Sequence, residues 1–152
     1  MDAEKILTEL GYTLPSTVKP AGSYIPALKV GNFLFLSGIL PLREGNVLKK
    51  GKVGKDLSIE EAQQEAIRVV LNALAIVKDF LGNLENVKQC VKITGYIASA
   101  KDFTEQPKVL NPASELMTEI FGERGKHCRV AVGVYNLPFD AAVEMDFIFE
   151  VK

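Results

Sequence analysis

Between Ile59 and Leu81 the apolar residues return every three or four positions: Ile59, Ala62, Ala66, Val69, Ala73, Val77 and Phe80. That spacing draws one stripe along a helix and predicts an α-helix over 59–81. Ser58 and Glu61 form a capping box ahead of it, each side chain satisfying a backbone N–H that the first turn leaves open. Gly82 supplies the left-handed stop. A shorter stripe, Ala113, Leu116, Met117, Ile120 and Phe121, predicts a second helix closed by Gly122. Pro112 suits a first helical position far better than an interior one, so the start is set near Asn111. Ala3, Ile6, Leu7 and Leu10 share a face and predict a short helix over 2–10, with Gly11 to end it.

Elsewhere the period drops to two. Val143, Met145, Phe147, Phe149 and Val151 alternate with Glu144, Asp146, Ile148 and Glu150, and Val130, Val132 and Val134 alternate with Arg129, Ala131, Gly133 and Tyr135. Both runs predict strands, joined through a turn at 136–140. Residues 89–99 predict another strand, with Val91, Ile93 and Ile97 on one face. The Gly31-Asn32 pair between Tyr24–Val30 and Phe33–Leu36 signals a hairpin. Residues 43–55 read as a glycine- and lysine-rich loop with one short strand near Val47. The order of elements predicts an α+β fold with two helices packed on one face of a sheet. Apolar positions on both parities of several strands predict that the other face meets another subunit.

Composition narrows the class. The chain is 47% hydrophobic and 24% charged, as in ordinary globular proteins, and its 152 residues predict one domain over 1–152 with a helical extension at about 2–11. A net charge of −1 argues against a protein built to hold nucleic acid. Residues 1–10 carry neither a long apolar core nor a basic leader, and no apolar run approaches the ~20 residues of a membrane span, so a cytoplasmic location with no membrane partner is expected. Cys90 and Cys128 are too few and too isolated for a disulfide framework or a zinc site, and no metal is expected.

Several residues offer chemistry, each beside a plainer role. Arg129 opens an apolar strand and either reaches solvent or grips a carboxylate with two parallel hydrogen bonds. Glu144 belongs to the polar face of its strand, or it is a carboxyl in an apolar cleft with a raised pKa. Asn111 is a natural helix N-cap. Ser37-Gly38 turns the chain or presents backbone N–H groups to an anion. Tyr24 is a packed strand aromatic. His127 and Cys128 are neighbours on an extended strand and point to opposite faces, so they do not form a base and its nucleophile. The run from Gly45 to Lys52 has the wrong spacing for a phosphate loop, and Val53 stands where that loop requires Ser or Thr.

Taken in order, Gly22-Ser23-Tyr24, Gly31-Asn32, Ser37-Gly38, Pro41, the long helix, Asn111, Arg129, Leu137-Pro138 and Val143-Glu144 resemble the Rid/YjgF family of reactive-intermediate deaminases. The resemblance covers Gly22 to Val151. Lys52-Val53-Gly54-Lys55, Phe121-Gly122-Glu123 and the run His127 to Gly133 are similar to a longer branch of that family. The resemblance implies a chorismate-mutase-like fold, a homotrimer with clefts between neighbouring subunits, and no cofactor. It implies hydrolysis of 2-iminopropanoate-type imines and enamines, which arise from 2-aminoacrylate, to 2-keto acids and ammonia. The partner is then a small imino or keto acid, bound through its carboxylate by Arg129, with Glu144 near the attacking water. Tyr24, Ser37, Gly38 and Asn111 would line the cleft. Ala131 stands where the archetype carries Cys, and Ile39 where Gln commonly follows the Ser-Gly pair, so this pocket is more apolar. Two rival functions stand beside this one. The first is a non-catalytic trimer that binds a small carboxylate or a protein as a sensor or chaperone. The second is a weak ribonuclease, for which the chain offers one histidine and no basic-aromatic surface.

Overall fold

A computed structural model describes residues 2–17, 19–20 and 22–152; Met1, the first residue of the predicted domain and N-terminal segment, lies outside them, as do Val18 and Ala21. The elements run α1 (Ala3–Glu9), β1 (Ala27–Val30), β2 (Phe33–Leu36), α2 (Ile59–Leu81), β3 (Val87–Ala98), α3 (Gln106–Phe121), β4 (Cys128–Val134) and β5 (Val143–Val151). The five strands form one mixed sheet in the order β1-β2-β5-β3-β4. All neighbours are antiparallel except β3 and β4, which are parallel and joined through α3.

Helix α2 starts and stops as its sequence predicts. Both halves of the Ser58–Glu61 capping box form, and Gly82 ends the helix at a φ of 87°. Ala62, Ala66, Val69, Ala73 and Val77 are buried, and the alanines let the helix lie close to its neighbours. Phe80, the last residue of the predicted stripe, is 47% exposed and does not join the core. From β5, Val143, Met145, Phe147, Phe149 and Val151 are all buried beneath the helices, with the rings of Phe147 and Phe149 stacked at 5.9 Å. Helix α1 forms over the predicted stretch but buries only Ala3 and Leu7, leaving Leu10 exposed.

Four expectations are corrected. Helix α3 begins at Gln106, five positions before Asn111, so Pro107 takes the N-terminal place and Pro112 sits inside the helix. The N–H that Pro112 lacks would have met the Lys108 carbonyl, and Gln63 of α2 donates to that carbonyl instead at 2.9 Å. Tyr24 precedes β1 rather than belonging to it. Strand β3 carries register shifts between Val87 and Gln89 and between Cys90 and Lys92. Each extra residue switches the face, so Cys90 is fully buried and Val91 only half-buried. Around Val47 the chain forms isolated bridges and no strand.

Among the described residues nothing covers the face of the sheet away from the helices. Leu28, Val30, Phe33, Phe35, Val130 and Val132 are each between 39% and 58% exposed there.

Candidate active site

Two groups of polar side chains emerge, one on each face of the sheet. The first gathers where β2 ends. Hydrogen bonds hold the chain there on both sides: Ser37 N–H donates to the Pro26 carbonyl, and Ile39 and Met145 exchange backbone bonds. The Ser37 hydroxyl donates to the Ile25 carbonyl at 2.6 Å. Of the Ser37-Gly38 pair, only the Gly38 N–H is left without a backbone acceptor among the described residues.

Gly38 matters because it has no side chain. A Cβ placed on it would stand 3.1 Å from the carboxyl carbon of Glu144. The bare glycine thus leaves room for that carboxyl, half-buried on the uncovered face opposite Tyr96. Burial raises the pKa of Glu144 above its ordinary value, and the nearby Asp146 raises it further. Gly38 also borders a cavity of about 90 Å³ lined by Tyr24, Ser37, Ile39, Asn72 and Phe139.

Polar residues of α2 that the sequence analysis does not single out brace this corner. Glu65, Arg68 and Asn72 share one face of the helix by spacing. Glu65 is 1% exposed and pairs with Arg43 at 2.5 Å. Arg68 donates to the Leu42 carbonyl, and Asn72 to those of Leu40 and Leu42. Polar residues recurring at the helical period within an apolar helix were the available signal. Phe139, missed as well, holds a left-handed φ of 57° in the turn before β5, a conformation that bulky residues rarely adopt. Its neighbour Asp140, with a φ of 58°, accepts a hydrogen bond from Gly51 N–H that pins the turn.

Arg129 heads the second group. It aligns with the buried Ile93 of β3, so its side chain leaves the sheet on the helix-covered face. Its Nη1 donates to the Ser114 hydroxyl of α3 at 3.1 Å, and its Nη2 to the Pro107 carbonyl at 3.4 Å. Partial burial draws its pKa below the ordinary value, yet a guanidinium stays cationic throughout the physiological range. Ala131 lies half-buried on the same face. Asn111 is exposed inside α3, one turn before Ser114, and is not a cap.

The predicted residues therefore divide. Tyr24, Ser37 and Gly38 line one cavity, and the Glu144 carboxyl adjoins it through Gly38; Arg129, Ala131 and Asn111 lie apart from Glu144, across the sheet. Cys90 is inert by its surroundings, since burial pushes its thiol up to about 12. Cys128 is exposed on β4. No helix among the described residues is long and apolar enough to cross a membrane, and no group of three or more His, Cys, Asp or Glu residues among them is placed to hold a metal ion.

Comparison with known proteins agrees with this architecture. Residues 4–150 match the family described as "YjgF/chorismate_mutase-like, putative endoribonuclease". Protein TCP17 of Trypanosoma cruzi is 39% identical over 147 residues, which are 96% of this chain and 92% of that protein. A RutC family protein of Pyrococcus abyssi is 35% identical over 86% of this chain and 87% of its own. The crystal structure of Atu1372, a protein of unknown function from Agrobacterium tumefaciens, superposes with a TM-score of 0.93 at 41% identity, covering 99% of this chain and 92% of that one. With a family match over nearly its whole length and relatives above 30% identity, this chain belongs to the YjgF/chorismate-mutase-like family.

Proposed function

We propose that the protein hydrolyses small 2-imino and enamine acids to 2-keto acids and ammonia, in clefts shared between the subunits of a homotrimer. The observation that carries this reading is the half-buried Glu144 carboxyl, set against the bare Gly38 with its pKa raised by burial. A carboxyl whose pKa is raised by burial holds a proton more readily than an exposed one, which suits it to take a proton and return it within one cycle. Ionised Glu144 accepts a proton from water as the water oxygen adds to the carbon of the protonated imine, giving a neutral carbinolamine; an enamine enters after tautomerising to its imine. Glu144 returns that proton to the nitrogen, the C–N bond breaks as the C=O bond forms, and the hydroxyl proton passes to the departing ammonia, which leaves as ammonium. Arg129 holds the substrate carboxylate in a planar two-point contact.

One protomer cannot join the two groups, because Arg129 and Glu144 project from opposite faces of one sheet. A shared cleft resolves this when Arg129 comes from one subunit and Glu144, Tyr24, Ser37 and Gly38 from its neighbour. The uncovered apolar face supports assembly, since exposed apolar patches of this kind mark contact surfaces. Asn111 and Ala131 lie on the arginine side of that cleft, and Ala131 and Ile39 favour a substrate with an apolar side chain over a polar one.

The test is the decay of 2-iminopropanoate generated in situ, followed with wild type and with Arg129→Ala, Arg129→Lys and Glu144→Gln. Losing one partner of a dry charge-assisted contact costs about 2–5 kcal/mol, roughly 30- to several-thousand-fold in rate. Arg129→Ala should lose nearly all activity, and Arg129→Lys most of it. Wild type that binds 2-keto acids yet leaves imino acids untouched would be a carboxylate sensor instead. Cleavage of RNA at a comparable rate would favour the nuclease.

A further inference from the structure

The chain has one histidine, and its hydrogen bonds run in one direction. His127 Nδ1 lies 2.7 Å from the Gly125 carbonyl, which can only accept, so Nδ1 carries the proton. In the neutral ring Nε2 is then an acceptor, and the Ser114 hydroxyl, 2.9 Å away, donates to it. That leaves the Ser114 oxygen to accept from Arg129 Nη1 at 3.1 Å. The chain thus reads Arg129 to Ser114 to His127 to the Gly125 carbonyl, with every donor pointing the same way. Bonds aligned in this manner polarise and strengthen one another.

The anchor of the chain is rigid. Gly125 is buried so closely on α3 that a Cβ there would collide with the Met117 carbonyl oxygen. Its own carbonyl is thereby fixed, and with it the imidazole ring. The chain does not make Ser114 a nucleophile. One lone pair of its oxygen already receives the Arg129 N–H, and an attack would break the contact that holds the cation.

We propose that Ser114 and His127 are positioning residues that fix the guanidinium of Arg129 in the orientation that meets a substrate carboxylate, an inference that rests on the carboxylate-binding role given to Arg129 above. A guanidinium has five N–H donors. Two are engaged, by Ser114 and by the Pro107 carbonyl, and the remainder have no acceptor among the described residues, which leaves them to a ligand. Holding two edges of a planar group leaves it one presentation, and a misplacement of about 1 Å in such a contact can cost 100-fold. The charged side chains that border this corner are Glu115, Glu119 and Lys126. None of them hydrogen-bonds Ser114, His127 or Arg129, so the orientation comes from the Ser114 hydroxyl, itself held by the imidazole, and from the Pro107 carbonyl.

The experiment has a readout that needs no substrate. In ¹⁵N spectra of the arginine side chains, the Arg129 Nη hydrogens should be resolved in wild type, because rotation about Cζ–Nη is restrained. They should merge in Ser114→Ala and His127→Ala. Titration with pyruvate, an unreactive 2-keto acid, should show binding weakened about 10- to 100-fold in both variants, with turnover of imino acid at saturation changed far less. Ser114→Thr, which keeps the hydroxyl, should restore both. Should Ser114→Ala fold poorly, His127→Ala and the threonine variant carry the test. If Arg129→Ala abolishes pyruvate binding while Ser114→Ala and His127→Ala stay within about twofold of wild type, the positioning role is wrong and the carboxylate grip stands. If Arg129→Ala binds pyruvate like wild type, the grip itself falls and this inference with it.

Discussion

Glu144 and Arg129 stand on strands of one sheet but in opposite settings. Glu144 lies on the uncovered face, beside a glycine, with no cation bonded to it among the described residues and a pKa raised by burial. Arg129 lies on the covered face of the edge strand β4, already held by α3 through Ser114 and Pro107. The carboxyl is free but unpartnered; the cation is positioned but distant. A charged group left without a partner is costly when water is excluded. The protomer avoids that cost by keeping each group only partly buried. The difference supports the reading proposed above, in which each protomer carries two half-sites, complementary in charge, that a neighbouring copy brings together.

The most direct way to break this comparison is to mix two inactive variants. Arg129→Ala and Glu144→Gln homotrimers should each be almost inactive. In trimers assembled at random from equal amounts of both, a cleft works when its arginine and its glutamate both come from unaltered contributors. That holds for about a quarter of clefts in a closed ring of subunits. Co-expressed mixtures should therefore regain about a quarter of wild-type activity. A mixture as inactive as its components would place Arg129 and Glu144 in one protomer's site and end the two-half-site reading.

A second variant attacks the surface between the halves. Phe35 of β2 and Val132 of β4 are 42% and 39% exposed on the uncovered face. Val132→Glu puts a charge where an apolar contact is expected, and light scattering should show the assembly falling to monomers, with activity lost together with the trimer. An unchanged trimer would show that this face is not the interface.

Gly38→Ala probes one half-site alone. The added methyl would sit 3.1 Å from the Glu144 carboxyl carbon, closer than ordinary contact allows, so the carboxyl must shift by a few tenths of an ångström. Turnover should fall about tenfold with pyruvate binding nearly unchanged, because the arginine side is untouched. Equal losses in both would mean that the glycine serves the carboxylate grip as well.

How much of this was legible depended on how local each signal was. The capping box at Ser58 and Glu61, the stripe on α2 and the alternation of β5 are patterns within one element, and all three form as their residues predict save that Phe80, at the end of the stripe, stays outside the core. The start of α3 was misplaced because Pro112 reads as a helix start, whereas its missing hydrogen bond is replaced by Gln63 from another helix. Val91 departs from the face that its spacing predicts because a bulge in β3 shifts the parity, and nothing in the alternation announces it. The division of Arg129 from Glu144 had the same origin. Each strand's parity was clear, but their relation depends on β4 pairing in parallel with β3 while β5 pairs antiparallel. The pairing of His127 with Ser114 was out of reach for a similar reason: it joins α3 to the segment leading into β4, and a reading of neighbours along the chain set His127 only against Cys128.

The smallest expected effect concerns stability, and it sharpens the comparison most. Because the folded state raises the pKa of Glu144, folding favours its neutral form. The sign follows: the neutral form's contribution is fully present below the ordinary carboxylate pKa and is lost as the pH rises through the raised value. Glu144→Gln keeps the shape and never ionises. Its Tm should match wild type in acid and exceed it by about 1–3 °C near neutrality, a small margin because the group is only half-buried. Thermal unfolding of both proteins across that range measures it. The opposite result, a glutamine variant less stable than wild type at neutral pH, would mean that the carboxylate already has a compensating cation in the assembled protein. The partner's Arg129 would then be the leading source of that charge, and the two half-sites would already meet before substrate arrives.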